Sequence, residues 1–575
     1  MEFRELTQYF EKLDNTSSRL ALIEILSDLF KKTPAGEIEK VVYLIQGRLA
    51  PFFAPIEIGM AEKTVAQSIA NAYGKTQKEV LRSYQDLGDM GLAVLQLAQN
   101  SKLKTQNLSV NKVCETLLEI ANTKGNGTVE KRQLFLSDLL QKIDPISAKH
   151  LVRIPLGNTR LGIGDPTVLD ALATAKLGDK SQRKQLEGAY NRTSDLGLIA
   201  KTLWDGGLKA VQKLELQVGY PVRSELCERL PNPEKVIEKM EVVDAQYKYD
   251  GFRVQIHKNG EEVRMFSRNL EEMTHMFPEL IEAVKKQIKA KTIILDSEAL
   301  AYNPESEEFL PFQETTKRRR KHGIEEMSKS LPLKAFVFDI LYKDGKSLID
   351  EPLTKRMEIL KEVLPEDDVL IRTKNQTVKD AKSLSILLED AISKGLEGLV
   401  IKKLESPYEA GARNFNWVKL KRHSSGELND TIDCVILGYI SGKGKRTAFG
   451  AGALLVGVYD KDKDEFVSVS KIGTGLTDEE WREIHRRADK ISLEHKPARV
   501  NSVILPSVWI RPEIVIEILA DEITRSPIHT AGKTETEPGY ALRFPRLVSF
   551  RNADKKAEDA TSVQELIEMY QQQGK

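Results

Sequence analysis

Apolar positions along roughly the first two hundred residues recur with a helical period. Leu22, Ile25, Leu26 and Leu29 stand at i, i+3, i+4 and i+7, behind the capping candidates Thr16, Ser17 and Ser18. Further on, Asp165-Pro166-Thr167 offers an N-cap and an N1 proline, and Gly178 is a stop after Val168, Leu169, Leu172 and Leu177. The loop Leu156 to Gly164 is glycine-rich and carries Arg160 toward a helix N-terminus, which suits a phosphate contact and equally a plain interhelix turn. Around Leu214 to Pro221 the period changes from helical to extended. Phe252, Val254 and Ile256 alternate with Arg253, Gln255 and His257, and Asn259-Gly260 leads to Val263 through Phe266, which predicts a hairpin.

Further strands are predicted over 293–300, 334–341, 399–402 and 417–421, with helices over 278–288 and 378–394 between them. That mixture predicts an α+β region. After His423 the strands shorten and crowd, over 434–440, 453–459, 466–472 and 514–518, with Gly438, Gly442, Gly444, Gly450, Gly452 and Gly457 among them. Such spacing predicts a small closed β-barrel of the OB type, and 562–573 reads as a polar amphipathic helix. The expected domains are a helical one over 1–213, an α+β one over 214–423 and an all-β one with a C-terminal helix over 424–575.

Composition narrows this picture. A chain of 575 residues exceeds a single core. The formal net charge of +1 means that an anionic partner must be met by local patches. Three scattered cysteines, Cys114, Cys227 and Cys434, exclude a disulfide framework and a four-cysteine zinc module, and fit a reducing compartment. No apolar run reaches membrane-spanning length, and the acidic start Met1-Glu2-Phe3-Arg4-Glu5 is unlike a signal peptide. The expectation is an intracellular, cytoplasmic protein associated with the nucleoid.

The chemistry gathers around Lys248-Tyr249-Asp250-Gly251, with Arg253 two residues on. A lysine amine, once neutral, attacks a phosphorus centre; its ordinary pKa of about 10.4 means that nearby cations must favour the neutral form. Asp296 and Glu298 share one face of a strand, and Glu397 stands between glycines. Acids so placed are usually solvated, yet beside a nucleotide they would suit Mg²⁺. Lys419 and Lys421 share a strand face that suits a phosphate with developing charge. The basic run Lys317 to His322 reads as a solvated loop, a targeting signal or a DNA-facing loop, and Lys443, Lys445 and Arg446 read alike.

In order, Lys248-Tyr-Asp-Gly, Ser267-Arg268-Asn269, Asp296-Ser-Glu298, Phe338-Asp339, Glu397 through Lys402 and Trp417 through Lys421 resemble motifs I to V of covalent nucleotidyltransferases. The whole chain resembles the ATP-dependent DNA ligases of the archaeal and eukaryotic replicative type, including Tyr408 to Arg413, Gly473 to Asp478, Leu542 to Arg546 and Arg160 to Gly164. The resemblance implies that Lys248 takes AMP from ATP, with Mg²⁺ on Glu298 and Glu397. It implies a nucleotide site made by Gln246, Arg253, Arg268, Glu298, Phe338, Val400, Arg413, Lys419 and Lys421. It assigns the leaving pyrophosphate to a tail cation among Arg543, Arg551 and Lys555, and DNA contacts to Arg160, Arg318, Arg319 and Arg320. The implied partner is nicked duplex DNA, sealed in replication, repair and recombination by a monomer. Sliding-clamp binding stays open, because Gln8-Tyr9-Phe10 is too short for the usual motif.

Two positions depart from the family pattern. Gln246 stands where Glu is common; its oxygen accepts a hydrogen bond as Glu does, but its NH₂ adds a donor. Arg551-Asn-Ala-Asp-Lys555 holds one residue more than the usual tail motif, which leaves the pyrophosphate cation open. The rival readings are an RNA-capping guanylyltransferase or RNA ligase, which the long helical region opposes, and a non-catalytic nucleic-acid clamp, which the intact lysines and acids oppose.

Overall fold

A computed structural model describes the chain except residues 17, 102, 304–307, 311–314, 316, 320–322, 394–395, 422–429, 442–450, 473–475, 521, 544, 552–553 and 574–575. The chain divides into two compact units: residues 1–190 with 195–214 and 495–499, and residues 191–194, 215–494 and 500–575.

The first unit carries the expected helices, from Phe3–Asp14 to Leu196–Gln212. Their apolar stripes, for example Phe3, Leu6, Phe10 and Leu13, meet in one core. The helix Arg19–Lys32 is capped by Ser18, whose hydroxyl accepts from the Ala21 amide. The helix Asp165–Leu177 starts one residue earlier than its sequence suggests, with Gly164 as N-cap. Asp165 is free of that capping duty because its carboxylate accepts from Tyr190 at 2.5 Å. Beneath the first helix, Glu11, Asp14 and His150 bring ligand atoms together in a metal-like cluster. Lys149 bridges both carboxylates at 2.7 and 2.9 Å, and Arg153 holds Asp14 at 2.9 Å, so protein cations already fill the place of an ion.

In the second unit two sheets stand on either side of the sequence Lys248 to Phe252. One has the order Leu226–Arg229, Arg413–Lys421, Gly398–Lys403, Val243–Lys248, Asn375–Val378. The other runs Glu262–Ser267, Phe252–Asn259, Thr292–Asn303, Leu333–Lys343, Lys346–Ser347. Lys248 ends a strand of the first sheet and Phe252 begins a strand of the second. The turn between them is tight, since a Cβ on Gly251 would run into the Ala299 carbonyl oxygen. The hairpin Phe252–Asn259/Glu262–Ser267 forms as expected, with Gly260 at φ +60°. Gln255 and His257 on it are nevertheless buried, and Val222 and Gly219 donate backbone N–H bonds to them. Asp339, next to Phe338, is wholly buried and takes a two-pronged hydrogen bond from Arg356.

The C-terminal strands build an OB-like half-barrel. Ile432–Ser441 pairs with Ala451–Asp460 and with Val515–Leu519, and Ala451–Asp460 pairs with Glu465–Ile472. Among the described residues the strand path has two ends rather than closing into a ring. The final helix, Val563–Gln572, opens on a capping box between Ser562 and Glu565. No described helix is long and apolar enough to cross a membrane.

Candidate active site

A cleft of about 260 Å³ opens between the two sheets and is roofed by the half-barrel. Alternation on Val243–Lys248 points Asp244, Gln246 and Lys248 to one face. Cross-strand register continues that face in rows: Gln246 opposite Val400 opposite Lys419, and Lys248 opposite Gly398 opposite Lys421. Lys248 pairs with Glu397, and its carbonyl accepts from the Glu397 amide at 3.2 Å. The second sheet supplies Arg253 and Glu298 at opposed positions, together with Phe338. Asp296 holds Arg253 from its buried side, through Nε at 2.8 Å and through the second guanidinium nitrogen. Tyr408 donates to the same carboxylate at 2.9 Å. Burial pushes the Glu298 carboxyl up to about 7, against the pull of Lys248, Arg253 and Arg268, and the neighbouring Glu397 adds to the rise.

Phe338 and Val400 belong to one apolar cluster that lines the cleft. Lys402 is buried beneath them, donating to the Phe338 carbonyl at 2.9 Å and lying 3.9 Å from the centre of the Trp417 ring. Burial lowers its pKa, while Asp339 and Asp244 oppose that fall.

The half-barrel brings its own charges to the cleft. Lys555 pairs with Asp433, and Arg551 pairs with Asp554 at 2.6 Å and Glu517 at 3.4 Å. Glu565, on the C-terminal helix, pairs with Arg413 and lies 3.6 Å from Lys419. Burial would raise the Glu565 pKa, yet Arg413 and Lys419 hold it far below the usual carboxylate range. Nothing in the sequence reading marked Glu565, Asp433 or Asp244 as part of the site. The one available signal for Glu565 was the Ser562-x-x-Glu565 capping pattern.

Other expectations fare differently. Arg268, Arg319, Arg551 and Lys555 line the cleft. Arg543 stands apart on the strand Gly539–Arg543, bonded to the Thr524 hydroxyl at 2.9 Å. Arg318, read as facing DNA, is 1% exposed and paired with Glu279 at 2.5 Å, so its charge is spent inside the fold. Its neighbour Arg319 reaches Glu271 at 3.2 Å. Arg160 has φ +57° and is paired with Asp89 at 2.8 Å. Arg320, Lys443, Lys445, Arg446 and the Lys421 side chain lie outside the described residues.

The donor set fits a hard divalent cation. Glu298 and Glu397 both line the cleft, and Glu298 is a desolvated carboxylate whose proton affinity Glu397 raises further. Two carboxylates with room for phosphate oxygens are what Mg²⁺ takes.

Three family descriptions match the chain in order: "DNA ligase N terminus" over 2–173, "ATP dependent DNA ligase domain" over 224–421 and "ATP dependent DNA ligase C terminal region" over 447–555. A "Probable DNA ligase" of Dictyoglomus turgidum is 48% identical over all of this chain and 98% of its own length. A "DNA ligase 2" of Thermofilum pendens is 42% identical, and a "DNA ligase" of Nitrosopumilus maritimus 40%, each across the whole chain and 98% and 99% of their own. The chain belongs to the ATP-dependent DNA ligases. Within this ligase the second family match spans both sheets of the cleft, and the third spans most of the half-barrel above them.

Proposed function

We propose that this ligase seals nicks in duplex DNA that carry a 5′-phosphate and a 3′-hydroxyl, through AMP held on Lys248. The Lys248 amine attacks the α-phosphorus of ATP, a nitrogen–phosphorus bond forms, the bond to pyrophosphate breaks and the amine gives up its proton. AMP then passes to the 5′-phosphate of the nick, and the 3′-hydroxyl displaces it. The observation that carries this reading is the position of Lys248 at the crossover between two sheets, in contact with Glu397 and facing Glu298 and Arg253.

Gln246 and the backbone beside it read the base, with Phe338 and Val400 on its two faces. Arg253, Arg268 and Arg413 meet ribose or phosphate, and Lys419 and Lys421 neutralise the α-phosphate. Glu298 and Glu397 would hold Mg²⁺, which as a Lewis acid supplies charge for the phosphate oxygens. Of the three tail cations, Arg551 and Lys555 line the cleft, which supports either as the partner of pyrophosphate, whereas Arg543 lacks that support. The domain borders we favour are 1–213, 214–423 and 424–575, with a monomer as the working unit.

Mass spectrometry after incubation with ATP and Mg²⁺ should find one AMP on Lys248. An adduct elsewhere, or none, overturns the reading. Removing residues 1–210 should leave that adduct largely intact while greatly weakening nick sealing, and sealing by the full chain should fall steeply with salt. A truncated chain that seals as well as the full one would refute the part given to the helical region.

A further inference from the structure

The base-reading position in this chain is an amide, and an amide has two chemically opposite ends. Its oxygen accepts and its NH₂ donates, and the carbon frame is the same whichever way it is turned. Turned one way, Gln246 greets an exocyclic amine. Turned the other, it greets a carbonyl oxygen. An amide free to rotate therefore cannot tell a 6-aminopurine from a 6-oxopurine, so something must fix it.

The structure supplies a fixing group. Gln246 is 2% exposed and its Nε2 donates to the Asp244 carboxylate at 2.8 Å. The other Asp244 oxygen accepts from Asn375 Nδ2 at 2.9 Å. Asn375 lies directly opposite Gln246 on the neighbouring strand, and Lys402 lies opposite Asp244 on the other side. Both oxygens of this buried carboxylate are thus engaged as acceptors, with a cation nearby, and a rotated Gln246 would set oxygen against oxygen. Among the described residues no hydrogen bond engages Gln246 Oε1, and Gln246 lines the cleft.

We infer that Asp244 is a specificity-determining positioning residue, which locks the Gln246 amide so that its oxygen faces the nucleobase and selects ATP over GTP. The inference rests on the proposed nucleotide site and goes beyond it by assigning selectivity to a residue that does not itself meet the base. In this ligase two residues together do what one carboxylate would do alone: Asp244 takes both ends of the choice away from the amide. The same pairing makes Gln246→Glu hazardous, because two carboxylates would then face each other inside the protein.

The test measures formation of the Lys248 adduct by the full-length chain with labelled ATP and with labelled GTP. The unmodified chain should strongly prefer ATP. Asp244→Asn keeps the shape but offers the amide either a donor or an acceptor, so Gln246 can turn. Its ATP-to-GTP ratio of kcat/KM should drop by roughly 10- to 100-fold, the worth of one hydrogen bond to a charged group, with the ATP loss mainly in KM. A second pair of variants carries the test even where Asp244→Asn folds poorly. Gln246→Glu should impair use of ATP, and adding Asp244→Asn to it should restore activity, because the amide introduced at 244 can donate to the new carboxylate. An unchanged ratio in Asp244→Asn, an equal loss with both nucleotides, or a double variant no better than Gln246→Glu overturns the role of Asp244. Those outcomes leave the Lys248 adduct standing. Absence of an adduct on Lys248 in the unmodified chain would instead remove the proposed function and this inference together.

Discussion

The two walls of the cleft handle charge in different ways. On the strand wall Arg253 is braced from behind, gripped by Asp296 from the buried side. On the barrel wall the pairs lie within the cleft itself, as Lys555 with Asp433, Arg551 with Asp554, and Glu565 across to Arg413. A braced cation keeps its aim when the cleft empties or fills, which is the preorganisation a charged transition state requires. A pair inside the cleft satisfies itself only until a phosphate competes for the cation. The difference suggests that the strand wall is built to stay, while the barrel wall is built to exchange partners.

The comparison is broken most severely at its centre. Lys248→Ala should abolish adduct formation and all ATP-dependent sealing while binding of nicked DNA persists, measured by labelled-AMP transfer and by gel shift. A normal adduct level would mean that neither wall serves this lysine.

Next in size is the brace. Asp296→Asn takes from the partly buried Arg253 the wholly buried carboxylate that grips it and should destabilise the fold by about 3 kcal/mol in urea unfolding. Asp554→Asn, after which Arg551 keeps Glu517 as a counter-charge, should cost about 1 kcal/mol. Equal costs would erase the distinction between the walls.

The sequence made the strand wall largely legible, and the reason is local. Lysine, acid and glycine at fixed spacing on a strand fix which side chains share a face, and the turn at Gly251 follows from its lack of a Cβ. Strand and helix positions were readable within a few residues: 293–300 is Thr292–Asn303, and 278–288 is Pro278–Gln287. What the sequence hid is tertiary. Arg318 sits in a run of basic residues that looks solvated, yet Glu279 lies close enough in the fold to draw it inside. Asp244 looks like an ordinary strand acid until Asn375, 131 residues away, is placed beside it. Glu565 completes a capping box with Ser562, and its second oxygen meets Arg413, 152 residues back. The helix at Asp165 starts one residue before the local pattern predicts, and a tyrosine hydroxyl invisible in that pattern binds the carboxylate.

A smaller effect is expected at that exchangeable contact. Glu565 is paired with Arg413 and lies beside Lys419; with these cations meeting the nucleotide phosphates as proposed, Glu565→Gln should lower the KM for ATP in adduct formation by a few-fold, tenfold corresponding to about 1.4 kcal/mol. Added salt should narrow the gap between the variant and the unmodified chain, because screening weakens the same pair. A KM that rises instead would mean that Glu565 orients these cations rather than occupying them.

The last expected effect is confined to acid pH and tests whether the hairpin behind the strand wall is closed to water. His257 is wholly buried on the hairpin, and burial, with Arg264 contributing, lowers its pKa to about 3. Its Nδ1 accepts from the Gly219 amide at 2.9 Å, which requires an unprotonated nitrogen there, and Nε2 lies 3.0 Å from the Gln255 amide oxygen as a donor. The folded protein therefore keeps this ring neutral, while in the unfolded chain it titrates near the ordinary value of about 6.5. Above that value the two states bind the same number of protons at this site and stability does not depend on it. As pH falls from about 6.5 toward 3, the unfolded chain takes up a proton that the folded one refuses, and stability is lost at up to about 1.4 kcal/mol per pH unit. Replacing the ring by an uncharged side chain of similar reach, His257→Gln, should flatten the stability profile over that window and leave it unchanged above pH 7. Urea unfolding followed at several pH values measures both slopes. Should the variant keep the slope of the unmodified chain, the ring is protonated within the folded state and the hairpin's second face is open to water after all.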